Sequence, residues 1–114
     1  MPIENTIIFK ALSDNSRLRI LKMLQSKSLC VCEVQEILGL AASTVSKHLS
    51  ILKDTGFIVE EKEGKWVNYH VNSRSTDPRV IEILTKLDFW LVDSQILVDD
   101  MQKIKSVDRH IICG

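Results

Sequence analysis

Two cysteines, Cys30 and Cys32, stand one residue apart, and a third, Cys113, precedes the C-terminal glycine. Thiolates bind soft ions. A trivalent metalloid such as arsenite or antimonite takes three thiolates in a pyramid, the number of cysteines in this chain. Zinc fits less well, because it takes four ligands and a cysteine pair supplies two. Positions i and i+2 do not share a helix face, so Cys30 and Cys32 reach one ion only where a helix begins and its backbone bends or frays. Cys113 would close such a site from the same chain or from a second copy, with His110 as a weaker substitute. Two other readings stay open: a thiol redox or persulfide sensor, and cysteines that only pack.

A second set of residues offers hydrogen bonds rather than thiolates. Ser43, Thr44, Ser46, Lys47, His48 and Ser50 fill one face of a segment whose other face carries Val45, Leu49 and Leu52, with Ile51 beside them. That periodicity predicts a helix over 42–54. Alternation then predicts strands over 57–62 and 66–71 around a Glu63-Gly64 turn. Upstream, Glu33 to Leu38 reads as a short helix ended by Gly39 as a left-handed cap. A helix for the major groove, preceded by helix and turn and followed by a hairpin that straddles phosphate, is the winged helix-turn-helix. Double-stranded DNA is the partner it implies. Ser43, Thr44, Ser46, Lys47 and His48 are the expected helix contacts, and Lys62 and Lys65 of the wing are expected on phosphate. The competing reading is a helix and hairpin in a small α+β domain whose polar face is merely wet. The helix start falls between 41 and 44, where an alanine N-cap costs about 1 kcal/mol unless Ser43 supplies the bond.

The elements needed to hold these residues are helices over 3–12, 14–26 and 31–38, the recognition helix and hairpin, and a long helix over 77–106. A flexible tail over 107–114 follows. In the second helix Leu18, Ile20, Leu21 and Leu24 face the core, Arg17, Arg19 and Lys22 face water or phosphate, and Asp14 or Ser13 caps. The last helix is apolar on two stripes, which one small domain cannot hide, so a symmetric dimer through the terminal helices is expected. Its aspartates, Asp88, Asp93, Asp99 and Asp100, read as a solvated face. The fold class is thus mainly α with a β-hairpin: one winged helix-turn-helix domain over 1–114, dimeric through its terminal helices.

Bulk properties set outer bounds. The 114 residues carry 15 basic and 15 acidic side chains, so DNA binding rests on placed contacts rather than on bulk attraction. A hydrophobic content of 45% excludes a disordered chain. No apolar run approaches the roughly 20 residues of a membrane span. The opening MPIENT lacks a secretion signal, and a cytoplasmic protein follows. A Cys-His nucleophile built from Cys30 or Cys32 with His48 or His70 is the strongest case for catalysis. No phosphate loop, metalloprotease motif or nucleophile elbow accompanies it, so no enzyme is expected.

The runs KALSDNSRLRILKML, LCVCEVQEILGL, STVSKHLSILKDTGFI and EGKWVNYHV, in order and spanning roughly Ile7 to Asn72, resemble the ArsR/SmtB family of metal-responsive repressors. The resemblance implies a homodimer that sits on an operator and leaves it when an inducer ion binds, with no cofactor required. Carried onto Cys30 and Cys32, the family's cysteine pair implies arsenite or antimonite, or alternatively cadmium or lead. The arsenic sensors place a third cysteine one helical step on, where this chain has Gln35; Cys113 of the tail is the candidate to close the site instead, with His110 as a weaker substitute. The family's aspartate and histidine site on the last helix has no match, since no histidine lies between His70 and His110.

Overall fold

The computed structural model describes residues 4–112. Helix α1 (Glu4–Leu12) buries Ile8 and Ala11 and leaves Ile7 and Phe9 exposed. Helix α2 (Asn15–Ser26) starts where the Asp14 carboxylate accepts the Arg17 amide at 3.1 Å, which satisfies one of the first-turn donors. It buries Ile20, Leu21, Met23 and Leu24.

A two-residue strand β1 (Leu29–Cys30) leads straight into α3 (Val31–Leu38). Gly39, at φ 70°, ends α3 by donating its amide to the Gln35 carbonyl at 2.8 Å, the left-handed cap expected from its sequence position. Helix α4 (Ala42–Asp54) follows and buries Val45, Leu49 and Leu52. Its N-cap is Ala41, with no side-chain bond, so Ser43 does not supply the missing cap.

The hairpin is β2 (Ile58–Glu63) and β3 (Trp66–Val71), one residue later at its start than expected. Glu63 pairs with Trp66, so the turn residues are Gly64 and Lys65 rather than Glu63 and Gly64. Gly64 adopts φ 60°, as a tight hairpin turn needs. The strand β1, too short to show a pattern, adds to the hairpin in the order β1-β3-β2, with Cys30 opposite Asn68. The sheet is therefore three-stranded rather than a bare hairpin.

The C-terminal third departs most from expectation. In place of one helix over 77–106 there are α5 (Pro78–Leu87) and α6 (Gln95–Ser106), separated by turns, and the tail carries α7 (Arg109–Ile112). No glycine or proline marks the break. Instead α2 reaches across to the end of α5: Lys22 donates to the Leu87 carbonyl, and Gln25 Nε2 donates to the Leu84 carbonyl at 2.9 Å. These carbonyls would otherwise accept from the next turn, and the lysine charge suits a helix C-terminus. Leu91, at φ 64°, carries the turn in a region where a side chain is strained. Asp100 is also corrected: it is fully buried and holds Arg19 through two bonds of 2.9 and 2.8 Å. The other three aspartates are exposed.

One apolar cluster joins α1 to α6, with Ile20, Leu21, Val34, Val45, Leu49, Phe57, Val80 and Ile104 at its centre.

Candidate nucleic-acid interface and thiol site

The face of α4 opposite its buried stripe is open. Ser43, Thr44, Ser46 and Lys47 are exposed and His48 is half-buried. Arg17, Ser43, Thr44, Lys47, His48 and Ile51 line one concave surface. Arg17 is one of three residues expected on water or phosphate; the other two turn inward instead, Arg19 to Asp100 and Lys22 to the Leu87 carbonyl. Arg17 spans from the end of α1 to α4, donating from Nε to the Ala11 carbonyl at 2.6 Å and from Nη2 to the Lys10 carbonyl at 3.0 Å. Its Nη1 lies 3.1 Å from His48 Nδ1. No local pattern reports that contact, because it joins residues 31 positions apart.

On the wing, Lys62 and Lys65 are exposed, and the Lys65 ammonium lies 4.8 Å from the centre of the Trp66 ring. The acidic residues of β2 have basic neighbours. Glu60 pairs with Lys53 at 3.2 Å, and Glu61 stands 3.3 Å from His70 Nε2. Both pairs are exposed and contribute little to stability. Burial, then the Glu60 carboxylate, pushes the Tyr69 hydroxyl above its ordinary value.

The two cysteines of the CVC run sit in different surroundings. Cys30 is a free thiol, 3% exposed, at the N-cap of α3. Its amide donates to Glu33 Oε1 at 3.0 Å. Burial pushes this thiol above the usual range, with the Glu33 carboxylate adding to the effect. Cys32 is half-buried, lines a cleft with Gln35, Glu36, Gly39, Leu40 and Ile112, and is disulfide-bonded. Since Cys30 is free, the pair is not bonded to itself. Cys113 lies outside the described residues. Among those described, no three His, Cys, Asp or Glu side chains stand close enough together to hold a metal ion.

Glu33 and Arg109 are the residues near this site that sequence reasoning missed. Glu33 is buried, yet accepts from both the Cys30 amide and Arg109 Nη2, the latter at 2.8 Å. Arg109 also lies 5.2 Å from the centre of the Trp66 ring, and His110 packs edge-on against that ring at 5.9 Å. One carboxylate thus ties the start of α3 to α7, and one guanidinium ties α7 to the wing. A charged residue three positions after a helix-starting cysteine was the available signal, since that spacing is a capping box.

A helix-turn-helix with an open polar helix face and a basic-tipped hairpin defines a winged helix-turn-helix DNA-binding protein. The family model described as bacterial regulatory protein, arsR family, matches residues 14–59. An uncharacterised HTH-type transcriptional regulator of Methanocaldococcus jannaschii is 43% identical over 82 residues, 71% of this chain and 88% of that protein. The arsenic resistance transcriptional regulator ArsR2 of Pseudomonas putida is 30% identical over 111 residues, 93% of this chain and 94% of that one. Among solved structures, reduced HlyU from Vibrio cholerae is similar with a TM-score of 0.65 at 29% identity, covering 78% of this chain and 90% of its own. The chain belongs to the ArsR family: it is a DNA-binding transcriptional repressor of the winged helix-turn-helix type, not an enzyme. No helix among the described residues is long and apolar enough to cross a membrane.

Proposed function

We propose that this repressor works in the cytoplasm as a homodimer, holds operator DNA through α4 of each protomer, and releases it when a soft metalloid ion, arsenite or antimonite, binds cysteine thiolates. The observation that carries the reading is the position of Cys32. It opens on a cleft at the first turn of α3, the helix that supports α4, and the cleft is edged by Ile112, whose neighbour in sequence is Cys113. The named function of the Pseudomonas putida relative, arsenic resistance, favours the same class of inducer. Cadmium and lead are the next candidates, because they too prefer thiolates.

In this reading Cys32, once its disulfide is reduced, and Cys113 supply two of the thiolates. Cys30 joins them only by losing its proton and turning out of the core. That movement opens the N-cap of α3, where Glu33 holds both the Cys30 amide and Arg109. The Trp66 ring of the wing rests against Arg109, so both DNA-facing elements feel the change. Linkage requires the inducer to prefer the off-DNA arrangement, with a coupling of about 1–3 kcal/mol in typical cases. Dimerisation is supported by the apolar side chains that one protomer leaves uncovered: Ile7 and Phe9 on α1, Phe89, Trp90 and Val92 in the break, and Ile96 on α6.

A second reading is favoured by one observation, the disulfide at Cys32. There the trigger is thiol oxidation or persulfidation, and a reductant restores DNA binding.

Fluorescence anisotropy of the reduced protein on its own promoter DNA separates the two. Release by arsenite or antimonite, reversed by a dithiol chelator and abolished in Cys32→Ser and Cys113→Ser, supports the metalloid reading. Release by oxidant or persulfide alone, reversed by reductant, replaces it with the redox one. Binding indifferent to all of these discards both.

A further inference from the structure

We propose that Arg17 fixes the ring tautomer of His48, so that the recognition helix presents a hydrogen-bond donor at this position and reads an acceptor on a base edge. The inference rests on α4 being the helix that faces DNA.

The chemistry follows from one contact. Every hydrogen-bonding atom of an arginine guanidinium is a donor. With Arg17 Nη1 3.1 Å from His48 Nδ1, that ring nitrogen accepts, and in a neutral imidazole the proton then sits on Nε2. Arg17 has little freedom to give way, because its Nε and Nη2 are spent on the Ala11 and Lys10 carbonyls at 2.6 and 3.0 Å. Those carbonyls belong to the C-terminal turns of α1, where a cation is favoured. The guanidinium is therefore a fixed wedge between α1 and the recognition helix. His48 is half-buried, and the concave surface it shares with Ser43, Thr44 and Lys47 is the open face of α4.

The consequence is a preference that side-chain identity alone does not fix. A histidine free to switch tautomer pairs with donors or acceptors alike. Held this way, His48 favours guanine N7 and O6, adenine N7 or thymine O4, and disfavours the amino groups of adenine and cytosine. Arg17 is a positioning residue in this scheme and need not touch DNA itself.

The tautomer is read without DNA. Long-range 1H–15N spectra of the histidine-labelled repressor, assigned with His48→Gln, are expected to show a protonated Nε2 and an unprotonated Nδ1 for His48. In Arg17→Gln the two nitrogens should move toward an averaged position. A protonated Nδ1 in the wild type would overturn the proposal. If Arg17→Gln does not fold, Arg17→Lys is read instead: it keeps a cation at the end of α1 but loses the fork that reaches His48.

The base contact is read by replacing each operator base pair in turn. His48→Ala and Arg17→Gln are both expected to lose about ten-fold discrimination at the same position of each half-site, with the other positions unchanged, which is the size of one base contact. A uniform loss across all sequences in both variants would show that the pair serves only the backbone or the fold, and would overturn the proposal. A wild type that does not distinguish operator from random DNA would instead remove α4 as the reading helix, a failure separate from the tautomer result.

Discussion

Arg109 Nη2 donates to Glu33 Oε1 at 2.8 Å across 76 positions of sequence, and the Glu33 side chain is only 3% exposed. The same oxygen accepts the Cys30 amide, so a single buried carboxylate serves an N-cap and an ion pair together. A buried carboxylate left without its cation is costly, because nothing replaces the water it gave up. Arg109→Gln is therefore expected to lower stability by about 2 kcal/mol, with Arg109→Lys recovering part of the loss. Urea unfolding followed by circular dichroism measures it; an unchanged midpoint would mean that the pair contributes nothing net.

The Arg19–Asp100 pair makes a parallel case between α2 and α6. Asp100 is fully buried and both its oxygens are used. Asp100→Asn should cost about 3 kcal/mol by leaving the guanidinium without its charge partner. The double change Arg19→Met with Asp100→Leu should cost less than Asp100→Asn alone, since an apolar pair of similar volume has no charge to satisfy. Calorimetric melting of the three proteins tests the ordering.

Cys30 gives a prediction in pH. Burial raises its folded value above that of the unfolded thiol. The folded chain therefore keeps this proton when the unfolded chain has lost it. The associated stability is fully present below the unfolded value and is lost as pH rises through the folded one. Between about pH 8.5, an ordinary thiol value, and higher pH, the wild type should lose stability faster than Cys30→Ala. The difference between the two curves isolates Cys30 from Tyr69, which is also raised. Iodoacetamide at neutral pH should leave Cys30 largely unmodified in the folded protein, with mass spectrometry of the peptide as the readout.

Lys47 is exposed on the DNA-facing helix and has only solvent to leave. Lys47→Ala should weaken binding to all sequences alike and reduce the slope of log affinity against log salt by about 1 per protomer. Lys65, held over the Trp66 ring at 4.8 Å, should change that slope less. Anisotropy titrations at several salt concentrations give both slopes.

Local signals carried most of what sequence reasoning obtained. The polar face of α4, the Gly39 cap and the hairpin alternation are each confined to a short stretch of sequence, so their periodicity was readable. What escaped it depends on distant partners. The break between α5 and α6 has no glycine or proline and is held by Lys22 and Gln25 of α2. Asp100 looked like one more solvated acid until Arg19 stood opposite it. Cys30 and Cys32 looked equivalent in sequence, but the start of α3 turns one into the core and the other onto a cleft. The contact between Arg17 and His48 likewise needed the end of α1 in place.

The ion pairs from α2 to α6 and from α3 to α7 also bear on the chain's synthesis. The helix-turn-helix and wing are complete once residue 71 has been made, but Arg19 and Glu33 wait for partners 81 and 76 positions further on. Long loops close late. A chain cut short before Asp100 would carry the DNA-reading elements but lack the partners of both Arg19 and Glu33. The two ion pairs therefore tie the stability of the DNA-reading unit to the helices made last, α6 and α7.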